Sequence, residues 1–387
     1  MILTGADLLL PDPGGPLPCR RVAGLALEVT DGRISRIGPP DPGAAGPVIE
    51  LAGGVLAAGF VDVQVNGGGG VLLNDSPTPA GVATMAQAHR AFGTTALLPT
   101  LITDDIATTR AAIAAVLAAL AAGVPGVAGI HLEGPVLGPK RPGVHRPDLF
   151  RTLDQEMVDL LASFRQAAPD HACLVTIAPE SAPQGAIAAL VRRGVKVALG
   201  HSDAPFELVR RAIAEGASGF THLFNAMSPL ASREPGMVGA ALEDPRAFAG
   251  LIMDGAHVHP ASARVALKAM GAGRLALVTD AMSAVGTTLD RFDLYGTTVM
   301  VRGESCWTPD GVLAGSNLDM MGAVRNAVTL MGVPLETACA MASDTPARWA
   351  GIDRRHGTLA ADRAADLVWI TDRLQVAGVW QAGMRVV

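Results

Sequence analysis

Charge is scarce in this chain. Charged residues make up 17% of its 387 residues, against a hydrophobic fraction of 49%. So little charge beside so much apolar material excludes disorder and calls for a compact core. The length suits one large domain plus a smaller one. An excess of basic residues is also missing. The net charge of -6 argues against a nucleic-acid or anionic-membrane partner, while leaving room for a local cationic pocket that takes a small anion. Cysteine pairing is absent too: Cys19, Cys173, Cys306 and Cys339 are scattered, with no CxxC and no framework spacing. That usage predicts reduced thiols in a cytoplasmic protein. The opening MILTGADLLLPDPGG has no basic segment followed by a long apolar run and a cleavage site, so secretion is not expected. The uncharged stretch 111–130 approaches membrane-spanning length, but it is dominated by alanine and broken by Gly123, Pro125 and Gly126. A helix, a turn and a strand account for it better than a span does.

What is present is alternation. Apolar runs occur at 60–67, 94–102, 127–134, 173–180, 195–202, 218–226, 248–258 and 274–282. Helical patterns separate them, as at 79–92, 104–122, 154–168, 183–194 and 204–216. Continuous apolar runs are what parallel strands buried on both faces look like. Eight of them with intervening helices predict an α/β fold, a closed (β/α)8 barrel of the TIM type rather than an open sheet. The ends of the chain differ. Residues 1–56 and 354–387 carry short strand signals and turn dipeptides such as Asp31-Gly32. They predict a small β-sandwich assembled from both termini, with the barrel occupying 57–353 between them. Residues 284–316 read as a Gly-rich hairpin insert that could serve as a lid, and helices near 318–331 and 334–350 would complete the barrel.

Several of the apolar runs end on a polar group. VAGIHLEGP ends on Glu133, VKVALGHS on His201, GFTHLFNAM carries His222 and LALVTDAM carries Asp280. Residues far apart in sequence converge when each lies at the C-terminal end of a barrel strand. One carboxylate and two imidazoles, Glu133, His201 and His222, form a sufficient ligand set for Zn²⁺ with a position open to water. Fe²⁺, Co²⁺ and Mn²⁺ take similar sites. Any one of these residues alone reads equally well as a satisfied core histidine or a capping carboxylate; all three at strand ends do not. The first strand offers the neutral amides of Gln64 and Asn66, which are poor ligands for a second ion, so one metal ion per chain is expected. His131, two residues before Glu133, reads either as an orienting partner of the ligand or as a packed core histidine.

Asp280 is placed to take a proton from a metal-activated water and return it to a leaving amine. The competing reading is a carboxylate that caps the turn after it. His145, in the loop GPKRPGVHRPD, could polarise a carbonyl, or could be a surface histidine. His257 could contact a substrate hydroxyl or anionic group, and His259 ranks below it. Arg233, in a loop otherwise poor in charge, has the planar fork that binds phosphate, unless it is simply solvated beside Glu234. Asn225 and the backbone of Ala226 could donate to the same anion.

In order along nearly the whole chain, AGFVDVQVNGGGG, TTALLPTLIT, HLEGP, LGHS, THLFNAM, SREPG, DGAHV, TDAM and GVLAGSNLDM resemble the N-acetylglucosamine-6-phosphate deacetylases of the amidohydrolase superfamily. The resemblance implies hydrolysis of the N-acetyl group of an amino-sugar phosphate. It implies a metal on Glu133, His201 and His222, Asp280 as base and then acid, and His145 at the acetyl carbonyl. It further implies that His257, the Asn225-Ala226 segment and Arg233 hold the sugar phosphate. Arg233 would reach in from the neighbouring subunit of a homodimer. The insert is the least well matched part. Two rivals follow: the same chemistry on the galactosamine epimer or another N-acyl compound, and a metal-free barrel serving as a scaffold or binding protein.

Overall fold

The computed structural model describes residues 1–15, 17–43 and 45–387. Its centre is a barrel of eight parallel strands: β1 Phe60–Val65, β2 Thr94–Ile102, β3 Gly129–Glu133, β4 Ala172–Ile177, β5 Lys196–Leu199, β6 Gly219–Phe220, β7 Phe248–Ile252 and β8 Leu275–Val278. Each strand pairs with the next in chain order. Closure comes from the backbone beyond β8: Asp280 N donates to Gln64 O at 3.0 Å, and Asn66 N and Gly67 N both donate to Ala281 O at 2.9 Å. All nine residues of β2 and all six of β1 and β4 are buried, as strands covered on both faces must be.

Helices return the chain between strands, and the sequence sets their starts. Thr78, Asp105 and Asp154 each cap a helix by accepting a backbone N–H from Gly81, Thr108 and Met157. The alanine-rich helix Ile106–Ala121 turns Thr109, Ala112, Ile113, Val116 and Ala119 onto the barrel. Small side chains on that face let the helix lie close to the strands. No helix among the described residues is long and apolar enough to cross a membrane.

Both ends of the chain build the second unit. One sheet runs in the order Arg33–Gly38, Ala26–Thr30, Ile2–Thr4, Val48–Glu50. The other runs Met384–Arg385, Val376–Gln381, Leu367–Ile370, Val55–Ala58, Asp7–Pro11, Cys19–Val22. Leu3, Leu8, Leu27, Ile34, Leu56, Leu367 and Trp380 pack between them as one core. Val55–Ala58 and Leu367–Ile370 pair antiparallel, Leu367 opposite Ala58. The two ends are therefore stitched directly to one another.

Three elements differ from expectation. The run 218–226 supplies only a two-residue strand, because the backbone turns left-handed at His222, Phe224 and Ala226 (φ 34°, 79° and 50°). The helix expected over 334–350 is two helices, Leu335–Ala342 and Asp344–Ala350, broken at Ser343 (φ -132°, ψ -74°). The insert after β8 is more than a hairpin. It is a four-stranded antiparallel sheet, Arg291–Leu294, Thr297–Arg302, Ser305–Trp307 and Leu313–Ser316.

Candidate active site

At the C-terminal mouth of the barrel lies a cavity of about 420 Å³, lined by residues that include Glu133, His145, His201, His222, His257 and Asp280. Glu133 is the last residue of β3. His201, His222 and Asp280 each sit two residues past the end of β5, β6 and β8, and each is left-handed, with φ of 47°, 34° and 52°. Side chains rarely tolerate that region. Here the reversal swings each one back over the barrel mouth instead of letting it follow the strand outward.

The donor atoms meet closely. His222 Nε2 lies 2.9 Å from Glu133 Oε1 and 3.0 Å from His201 Nε2, and His201 Nε2 lies 3.3 Å from Glu133 Oε1. Ligands about 2.0–2.1 Å from a tetrahedral ion stand roughly 3.3 Å from each other, so this triangle has the size of a metal's coordination face. His201 Nδ1 meets the Arg141 carbonyl at 3.0 Å, which puts the proton on Nδ1 and frees the Nε2 lone pair for the centre. His222 Nδ1 is buried without a protein partner. The donor set therefore fits a divalent cation. Burial pushes the Glu133 carboxyl up, but the adjoining His201 and His222 side chains outweigh it and hold the group well below the usual carboxylate range.

Glu133, His145 and His201 also bring ligand atoms within 4.8 Å of one another, so His145 competes with His222 as the third ligand. Hydrogen bonding decides against it. Thr103 N donates to His145 Nδ1 at 3.3 Å, and Thr103 Oγ1 lies 2.9 Å from the same atom. An Nδ1 that accepts leaves the proton on Nε2, which makes that nitrogen a donor and not a ligand. Burial keeps the ring neutral by lowering its pKa well below the usual histidine value.

Gln64 and Asn66 tie the carboxylates together. Gln64 Nε2 reaches Glu133 Oε1 and Oε2 at 3.2 and 3.1 Å and Asp280 Oδ1 at 3.1 Å, while Asn66 Nδ2 donates to Asp280 Oδ1 at 2.7 Å. Burial, followed by the charge of Glu133, raises the Asp280 carboxyl to about 6. One layer deeper is Asp62, fully buried on β1. It accepts from Thr279 Oγ1 at 2.5 Å and from Gln64 N at 3.2 Å, gripping the residue before Asp280. Burial raises this carboxyl to about 7 against those hydrogen bonds.

Around this centre the other expected residues separate. Asn225, Ala226 and His257 line the cavity. His257 Nδ1 is 2.6 Å from Asp254 Oδ2, which leaves Nε2 for a ligand. His259 caps the helix Pro260–Met270, its Nδ1 accepting from Ala261 N at 3.1 Å. His131 does not hydrogen-bond Glu133; its Nε2 is satisfied by Thr176 Oγ1 at 2.8 Å within the barrel. Arg233 is exposed and does not line the cavity of the single chain. Glu234 is not its partner either, since Glu234 Oε1 accepts from Phe206 N and Gly236 N. Sequence reasoning missed Lys140, Arg141 and Thr103. The first two are cationic side chains lining the cavity from the loop that carries His145.

A parallel barrel whose strand ends gather two histidines and two carboxylates defines a hydrolase of the metal-ligating type. The amidohydrolase family matches residues 55–386, and the chain belongs to that family. It is 46% identical to an N-acetylgalactosamine-6-phosphate deacetylase of Shewanella sp. (strain ANA-3), over 92% of this chain and 90% of that protein. It is 36% identical to an N-acetylglucosamine-6-phosphate deacetylase of Haemophilus influenzae, over 85% of this chain and 86% of that one. The solved structure of the N-acetylglucosamine-6-phosphate deacetylase from Pasteurella multocida superposes with a TM-score of 0.92 at 33% identity, covering 99% of this chain and 98% of that one.

Proposed function

We propose that this chain hydrolyses the acetamide of an N-acetylhexosamine 6-phosphate to acetate and the free amino-sugar phosphate. The observation that carries the proposal is the convergence of Glu133, His201 and His222, with no contact longer than 3.3 Å, in a cavity that Asp280 and His145 also line. A single divalent ion on those three residues, Zn²⁺ by its donor set, would polarise the acetyl carbonyl and bring the pKa of water to about 7. Asp280 takes the proton of the attacking water as the new C–O bond forms. It then passes that proton to the nitrogen as the C–N bond breaks. His145 donates from Nε2 to the oxygen on which negative charge gathers. Asn225, the Ala226 backbone and His257 hold the sugar phosphate. Arg233 of a second copy of the chain would complete that grip, which makes the working unit a homodimer.

The two epimers differ at one ring hydroxyl. The resemblance first drawn from motifs names the glucosamine sugar, whereas the 46% identity to the Shewanella protein favours the galactosamine sugar as the second reading. Acetate release should be measured from both 6-phosphates and from both unphosphorylated sugars. Turnover of a phosphorylated sugar at least about 100-fold above its unphosphorylated form is expected, since the phosphate is bound by charged hydrogen bonds. Arg233→Ala should raise KM for the phosphorylated sugar about tenfold or more and leave the unphosphorylated one unchanged. Equal rates with and without the phosphate would overturn the assignment.

A further inference from the structure

Tyr295 is the sole tyrosine of the chain, and it stands where a tyrosine is a poor choice. It is the first central residue of the two-residue turn joining Arg291–Leu294 to Thr297–Arg302, with φ 53°, and Gly296 follows at φ 79°. Two successive left-handed residues make a turn of the type that favours Asn-Gly or Gly-Gly. A bulky aromatic held there is an outlier, and such outliers persist where the surroundings impose them.

The side chain shows what is gained. Its hydroxyl donates to the Thr103 carbonyl at 2.5 Å, across 192 positions of sequence. Thr103 follows the last residue of β2; its N–H reaches His145 Nδ1 at 3.3 Å, and its hydroxyl stands 2.9 Å from the same atom and a longer 3.5 Å from the Glu133 carbonyl. The turn is braced by Gly296 N donating to Asp293 Oδ1 at 2.8 Å. Beneath it, Leu294, Val299, Cys306 and Ala314 of the insert pack on Leu72, Ile102 and Met282, with Tyr295 and Val144 against the same cluster.

We propose that Tyr295 is a positioning residue: through its phenol the insert fixes the Thr103 carbonyl, and through that residue the tautomer and direction of the His145 ring. The insert is thereby a working part of the site and not only a cover over it. This rests on the reading of His145 as the donor to the reacting carbonyl.

The test is a double-mutant cycle on zinc-loaded protein, using whichever sugar phosphate the wild type hydrolyses. Tyr295→Phe keeps the ring and removes one hydrogen bond. It should lower kcat about three- to tenfold, with KM and bound zinc unchanged. In a His145→Gln background the same change should cost less than about twofold, because the group it positions is gone. An equal factor in both backgrounds would show that the turn only braces the pocket, and wild-type kcat in Tyr295→Phe would show no role; either outcome overturns the proposal. A second readout needs no substrate. Nitrogen NMR of the ring, assigned with His145→Gln, should show the Nε2-protonated tautomer in the wild type and a mixture in Tyr295→Phe. An unchanged spectrum would also overturn the proposal. Absence of wild-type turnover on either sugar phosphate would instead remove the deacetylase reading, with the spectra still deciding whether Tyr295 governs His145.

Discussion

Asp280→Asn is expected to lower kcat about a thousandfold or more while leaving the bound metal in place, within the range that general acid–base groups contribute. The reason is the division of labour within one carboxylate. Gln64 and Asn66 both donate to Oδ1, which fixes the group and leaves Oδ2 to take the proton. An asparagine can occupy the same space but cannot carry the proton from water to nitrogen. The pH profile follows with a definite sign. Burial and then the charge of Glu133 raise the Asp280 carboxyl to about 6. The ionised form is the base, so activity is present above that value and is lost as pH falls through it. A cation held beside the carboxylate favours the ionised form, which places the acid limb of kcat/KM at or below pH 6. A limb above pH 7, or an Asp280→Asn enzyme within tenfold of wild type, would take the base assignment away from this residue.

Removal of the metal should have an effect at least as large. Chelation is expected to abolish turnover, and one equivalent of Zn²⁺ per chain should restore it. The single equivalent follows from Gln64, whose Nε2 lies 3.1–3.2 Å from oxygens of both Glu133 and Asp280 and so puts an amide where a second ion would need a ligand. Zinc should also stabilise the fold, by about 4 kcal/mol at free metal a thousandfold above Kd, because the ligands come together only in the folded barrel. Metal analysis beside activity and thermal melting decides the matter. Full activity in protein shown to be metal-free, or a requirement for two ions, would contradict the arrangement.

Much of this was readable in the sequence because the barrel buries its strands on both faces. Runs such as TTALLPTLI and VKVALGHS are continuous, and a Glu or His at the end of such a run stands out. The left-handed turns that aim His201, His222 and Asp280 left no comparable trace, since no glycine marks them. The break at Ser343 has a mark in the sequence, the helix-start pattern Ser343-Asp344-Thr345-Pro346, but the apolar run on either side masks it. The insert's strands are half-exposed, so their alternation was too weak to reveal four of them. Thr103 is instructive. It directly follows the β2 run, but a threonine there reads as an ordinary turn residue, where an acid or a histidine stands out. Tyr295 could not have been found this way, because its meaning lies in a contact between two loops remote in sequence.

The pairing of Val55–Ala58 with Leu367–Ile370 also has a consequence for synthesis on the ribosome. At about 5–20 residues per second, the first of these strands waits tens of seconds for a partner roughly 300 residues further along the chain. Throughout that interval it offers an unpaired apolar edge, a template for wrong pairing with other nascent chains. Chains interrupted before residue 367 should therefore collect as aggregates or chaperone clients, even though every residue of the catalytic centre has already been made.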